Sequence, residues 1–305
     1  MKNFRLFSFL FLAAFLFTFT ACESVYEDDG IFADTPLEDV FEGQADNTLD
    51  PDMGIAIYKV DGEFIIPVDQ AKAKKSWMED EEKHRAIWEM TTTLIPSDYR
   101  RWLASFEVFD GKNDLLGYVN PTEEDLSGWK FALDIRTAYP DGNTLEQSGD
   151  YIHTIIHEFG HVLALNDEQL KANKLVCSTY NPGEGCAKSD AYLLEFYNRY
   201  WADIANEIPE EDASDRELNN FYDKYEDRFV TDYAATNPVE DFAEVFATFI
   251  TSDSRPEGNV IKDQKVQFLY EYPELVDLRE HMRGTVYTLP KAGEWTRKKC
   301  NHAAH

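Results

Sequence analysis

The chain has 305 residues, enough for one large domain or two ordinary ones. Its 43% hydrophobic and 14% aromatic content can fill a real core, which excludes a chain disordered throughout. Lys and Arg number 29 against 58 Asp and Glu, a net charge of −29. Phosphate backbones require clustered cations, so a nucleic-acid partner is excluded, and docking on anionic headgroups is disfavoured.

Residues 1–21 stand apart from this acidic body. Lys2 and Arg5 precede an apolar run from Leu6 to Phe19, and Thr20, Ala21 and Cys22 follow. A positive start, an apolar centre and small residues before a cleavage point describe a secretory signal. The run is too short to span a bilayer, which takes about 20 apolar residues. Thr20-Ala21-Cys22 resembles a bacterial lipobox, with Phe19 in place of the usual Leu; the resemblance implies lipidation of Cys22. Residues 22–52 then read as a tether: eleven Asp or Glu and no Lys or Arg fall between Glu23 and Asp52. The expected location is the bacterial cell envelope, lipid-anchored at the outer membrane, with residues 53–305 as the folded domain.

In chain order, residues 54–68 hold two apolar runs around Asp61-Gly62, a hairpin signal. Lys72 to Arg85, continued by Ile87, Trp88 and Met90, suits a surface helix that Pro96 interrupts. Ala104–Phe109 and Leu115–Val119 flank Asp110-Gly111 and read as a second hairpin. Residues 130–138 alternate Phe131, Leu133 and Ile135 with smaller or polar residues, the pattern of a half-buried strand. After Gly149 the period turns helical: Ile152, Ile155, Ile156, Phe159 and Leu163 predict a helix through residue 165. Further helices are expected at 190–207, 214–229, 238–252 and 262–283, the first with an aromatic packing face at Tyr192, Phe196, Tyr197, Tyr200 and Trp201. Strands first and helices after give an α+β domain, a small N-terminal mixed sheet with a mainly helical C-terminal part. Cys177 and Cys186 bracket a turn-rich loop in a protein read as exported. A disulfide would tighten that loop; two unpaired thiols are the alternative.

The chemistry concentrates in His157-Glu158-Phe159-Gly160-His161. Residues four apart on a helix stack one turn above another, so two imidazoles project from one face about 6 Å apart at Cβ. That pair can grip a zinc ion, and Glu158 beside the first ligand can accept a proton from an activated water. A catalytic zinc needs a third protein ligand. Metzincins take a His six residues after the second one; here that position is Asp167, and the preceding Gly position is Ala164, so this class is excluded. A Glu from a separate helix is the other solution. Residues 231–244 offer Glu240 and Glu244 on one face of a helix that Asn237-Pro238 can start. By spacing alone Glu240 is equally well a capping-box residue.

His157–His161 with Tyr233, Asn237, Glu240 and Phe242-Ala243-Glu244 resembles the catalytic domain of anthrax lethal factor, and also the zinc-binding metallopeptidases found as bacterial lipoproteins. The resemblance covers residues 150–165 and 231–250. It implies a zincin-like metallopeptidase of the gluzincin type that hydrolyses peptide bonds. It further implies Zn2+ held by His157, His161 and Glu240, Glu158 as general base, Glu244 orienting the first histidine, and Tyr233 donating to the oxyanion. His153, one turn before His157, lines the cleft or is merely packed. The partners expected are a peptide or protein substrate, no nucleic acid and a membrane reached only through the N-terminal lipid, with the chain a monomer. Two other readings stay open: a lipid-anchored surface binding protein with a vestigial or structural zinc site, and hydrolysis of another amide. The strand at 130–138 is expected at a sheet edge, where substrate would add as an antiparallel strand.

Overall fold

Residues 49–71, 76–112, 114–147, 149–172, 176–209 and 213–286 are described by a computed structural model. The signal segment, Cys22 and nearly all of the tether lie outside them. Strands β1 (Gly54–Asp61) and β2 (Phe64–Gln70) form the expected hairpin, with Gly62 taking the positive φ of 64° that its turn requires. Helix α1 (Glu81–Leu94) starts later than the charge pattern suggested, because the Asp80 carboxylate caps it by accepting from the Glu82 N–H.

Strands β3 (Leu103–Phe109), β4 (Gly117–Pro121) and β5 (Trp129–Asp134) complete a five-stranded mixed sheet in the order β2-β1-β3-β5-β4. Here the structure corrects the sequence reading in three respects. β3 and β4 are not a hairpin: β5 inserts between them, parallel to β3 and antiparallel to β4. β5 is accordingly an interior strand, every residue of it buried, and β4 takes the edge. The alternation at 130–138 also stops early. Asp134 accepts from the Thr137 N–H and hydroxyl and turns the chain into one helical turn, α2 (Ile135–Ala138). Continuous burial of β5 on both faces explains why period-2 logic understated it.

Helix α3 (Gly149–Leu165) follows, and then a two-stranded ribbon of β6 (Leu170–Ala172) and β7 (Gly185–Ala187). The remainder is helical: α4 (Tyr192–Tyr200), α5 (Asp215–Tyr225), α6 (Pro238–Thr251), α7 (Ile261–Leu269) and α8 (Pro273–Val286). The single helix expected at 262–283 is two, since Pro273 cannot continue α7 but suits the first turn of α8. The α+β organisation is as the sequence predicted. The aromatic face of α4 packs as expected, with Phe196 against Phe242 of α6 and Phe268 of α7.

One buried ion pair locks α6 to α7. Lys265 and Asp241 are both fully buried and bonded to each other, and Asp241 also accepts from the Trp201 indole at 2.7 Å. The Lys265 ammonium sits 4.3 Å from the Phe229 ring centroid. Removing one partner of such a pair strands the other charge in a low-dielectric interior. Lys265→Met is therefore expected to destabilise the fold by about 3–5 kcal/mol in denaturant titration. A change below about 1 kcal/mol would show that the pair is not what joins these helices.

Candidate metal centre

Two helices meet to build the site. Gly160 lies midway along the histidine motif, where an added Cβ would come within 3.1 Å of the Ala243 Cα on α6. Two minimal side chains thus let the α3 and α6 backbones approach, and that closeness lets histidines on one helix reach carboxylates on the other. α3 is more enclosed than its amphipathic pattern suggested. All its residues from Thr154 to Leu165 are buried, the histidine face included, because β4 and α6 cover what the core does not.

His157, His161 and Glu240 converge. Their nearest donor atoms are separated by 3.0 Å (His157 Nε2 to His161 Nε2), 3.1 Å (His157 Nε2 to Glu240 Oε2) and 3.3 Å (His161 Nε2 to Glu240 Oε2). A tetrahedral ion with bonds of about 2.0–2.1 Å needs donors about 3.3 Å apart, so these separations fit zinc. The chemistry fits as well. The ionised Glu244 carboxylate lies 2.8 Å from His157 Nδ1, which places the ring proton on Nδ1 and leaves the Nε2 lone pair facing the cluster. Lone pairs and a carboxylate gathered in a buried space need positive charge among them.

The same negative charge also draws protons, which compete with a metal for the histidine Nε2 positions. Burial opposes charge on His157, but Glu240 and Glu244 overcome it and hold its imidazole well above the usual range. Burial would raise Glu240, yet His161 and His157 pull it down to about 2. Glu244 is likewise carried well below the carboxylate range, against burial, by His153 and His157. Glu158 behaves differently: burial raises its pKa, and His157 and His161 only partly offset this.

Glu240 does not act as a capping-box residue. The Asn237 side chain caps α6 by itself, accepting from the Val239 and Glu240 N–H groups at 2.9 Å each, and leaves the Glu240 carboxylate free to face the histidines. Tyr233 stands on a short turn before α6, its ring centroid 5.8 Å from that of His157. Burial, then the charges of Glu240, Glu158 and Glu244, drive its phenol well above the ordinary range, so it stays a neutral donor. Asp167, at the position a metzincin would fill with His, accepts instead from the Trp102 indole at 2.8 Å.

Three contributors were not assigned from the sequence. His153 Nε2 lies 2.9 Å from Glu244 Oε1, and the Thr231 hydroxyl donates to Glu244 Oε2 at 2.9 Å, so Glu244 is held from three sides. Thr231 Oγ1 also accepts from the Ala234 N–H, tying the Tyr233 turn to the same carboxylate. Gly117 on β4 runs so close to α3 that a Cβ there would lie 2.8 Å from Glu158 Cγ and 2.9 Å from Thr154 Cγ2. The i−4 spacing of His153 was a usable signal. Thr231 and Gly117 carried none, because their roles depend on distant segments.

Residues 132–270 match the family described as "Putative zinc-binding metallo-peptidase". That segment begins inside β5 and ends just beyond α7, so it contains both helices of the site, while β4 lies outside it. No curated protein and no solved structure matches. The family match, with the His157–His161–Glu240 group whose donors all lie within 4.8 Å of one another, supports a zinc peptidase in general terms.

Proposed function

We propose that the protein is a zinc-dependent peptidase in which His157, His161 and Glu240 hold the metal and Glu158 is the general base. The observation that carries this reading is the convergence of three donor atoms from two helices more than seventy residues apart. Bound zinc supplies Lewis acidity, which acidifies a water molecule and polarises a carbonyl. Glu158 takes the proton of the attacking water and passes it to the leaving amine; a carboxylate whose pKa is raised by burial suits both halves of that shuttle. Tyr233, kept neutral, donates to the carbonyl oxygen as negative charge grows there. Glu244, with His153 and Thr231 behind it, fixes the His157 tautomer and ring orientation.

β4 is the strand that would receive the substrate. Among the described residues it pairs only with β5, which leaves its other edge without a strand partner there, and at Gly117 it touches the Glu158 side chain. An extended peptide added there would be read chiefly through its main chain. Gly117→Ala should push Glu158 out of line and lower kcat by up to about 10²-fold with zinc content retained. Unchanged kcat in a folded variant would remove β4 from the site.

The direct test pairs metal analysis with a peptide-library digest. The expected result is close to one zinc per chain, cleavage abolished by a chelator and restored by added zinc. A protein that binds zinc but cuts no peptide would favour a structural or binding role for the centre.

A further inference from the structure

A second set of donors stands behind the first. His153 Nε2 and His157 Nδ1 both face one oxygen, Oε1 of Glu244, at 2.9 and 2.8 Å. These three atoms lie within 4.8 Å of one another, as do the donors of the first group, and His157 belongs to both sets. Its Nε2 faces His161 and Glu240, while its Nδ1 faces Glu244. One imidazole thus stands between two clusters.

An ion site needs suitable donors, suitable spacing, supported ligands and a way in. Two imidazoles with one carboxylate are donors for a late first-row dication such as zinc, nickel or copper; calcium and magnesium take oxygen instead. Two donors at right angles, each about 2.0–2.1 Å from an ion, stand about 2.9 Å apart. Both nitrogen–oxygen separations match that value. The Thr231 hydroxyl supports the carboxylate from behind, donating to Glu244 Oε2 at 2.9 Å and leaving Oε1 to the two rings. His153 is the open side of the set: its side chain is 34% exposed, against 8% for His157 and 5% for Glu244. Any donor at position 153 could steady Glu244, but only a ligating group there completes a chelate.

We propose that His153, His157 Nδ1 and Glu244 form a second, weaker site for a zinc-class dication, and that filling it inhibits hydrolysis. The binding rests on this donor geometry alone; the inhibition rests on the peptidase reading above. The entering ion displaces the proton that His157 Nδ1 shares with Glu244, and that proton leaves to solvent. His153 offers Nε2 by carrying its own proton on Nδ1. Glu244 Oε1 then bonds the ion in place of two N–H groups and no longer fixes the His157 ring for the first ion. Two dications on opposite nitrogens of one ring also repel each other. Both effects loosen the first zinc.

The test starts from the full chain carrying one zinc and adds zinc beyond that equivalent, with bound and free metal separated by equilibrium dialysis. The expected result is a second ion per chain, held at least about tenfold more weakly than the first, with kcat/KM on a cleaved peptide falling about threefold or more as it binds. Calcium and magnesium at the same concentrations should do neither. His153→Gln keeps a donor towards Glu244 but removes the imidazole; it should retain the first zinc and lose the second ion and the inhibition together. The wild type supplies a reading that needs no variant. The exposed His153 ring should react with diethyl pyrocarbonate at one zinc per chain and be protected at two, as read from peptide masses. A second ion still bound by His153→Gln would sit elsewhere, on His281, His302 or His305, and would overturn the inference. So would a His153 that stays reactive with the second ion bound. A second ion held through His153 that leaves hydrolysis unchanged would overturn the inhibitory role. Protection of His153 in a protein that cuts no peptide would uphold the site and sink the hydrolytic reading alone.

Discussion

Glu158→Gln should lower peptide hydrolysis by roughly 10²- to 10⁴-fold while zinc stays bound. The substitution keeps the size of the side chain and removes only its capacity to take a proton. Glu158 is not among the converging donors, so its neutralisation leaves the His157–His161–Glu240 group complete. Burial penalises the charged form of this carboxyl, so a neutral amide at that position costs the fold little. The measurement is kcat/KM on a cleaved peptide beside zinc content and melting temperature. Activity within a few-fold of wild type would remove Glu158 from the mechanism and leave the proton to another group.

Glu240→Gln is expected to act on the metal instead. The carboxylate faces both Nε2 atoms within 3.3 Å and carries the negative charge that balances positive charge in the cluster. Replacing it with a neutral amide should weaken zinc binding by more than the roughly 10–100-fold typical of losing an outer partner, and hydrolysis should fall with occupancy. α6 should nevertheless survive, because Asn237 supplies its cap and Pro238 its first turn. Chelator competition reads the affinity, and circular dichroism reads the helix. Unchanged zinc affinity would exclude Glu240 as a ligand; loss of helix content would mean that the side chain is structural after all.

How much of this was legible in the chain differs from element to element. α3 and α6 were readable nearly to the residue, because each combines a strong 3.6-residue apolar stripe with distinct local chemistry, the histidine pair in one and Asn-Pro in the other. The competition over Glu240 could not be resolved by spacing, since a capping box and a metal ligand use the same position; only the meeting of two helices separates them. Sheet order was the weakest part. Asp110-Gly111 is a fair turn signal, but nothing local says that β5 will slip between β3 and β4, because strand pairing depends on contacts far apart in sequence. The edge position next to the site therefore went to the wrong strand. Spacing and turn content left Cys177 and Cys186 open between a disulfide and two thiols, and only the placed loop decides for the bridge.

The contact of Gly160 on Ala243 has a consequence for how such a centre can change over time. The two gaps that involve Glu240 are set by how closely the α3 and α6 backbones approach, whereas the His157–His161 gap is set within α3. Exchanging one donor for a longer or shorter one would shift that donor alone, while a single methyl at position 160 would wedge the two helices apart and enlarge both gaps to Glu240 at once. Retuning for a larger ion would thus have to begin at a residue that never meets it.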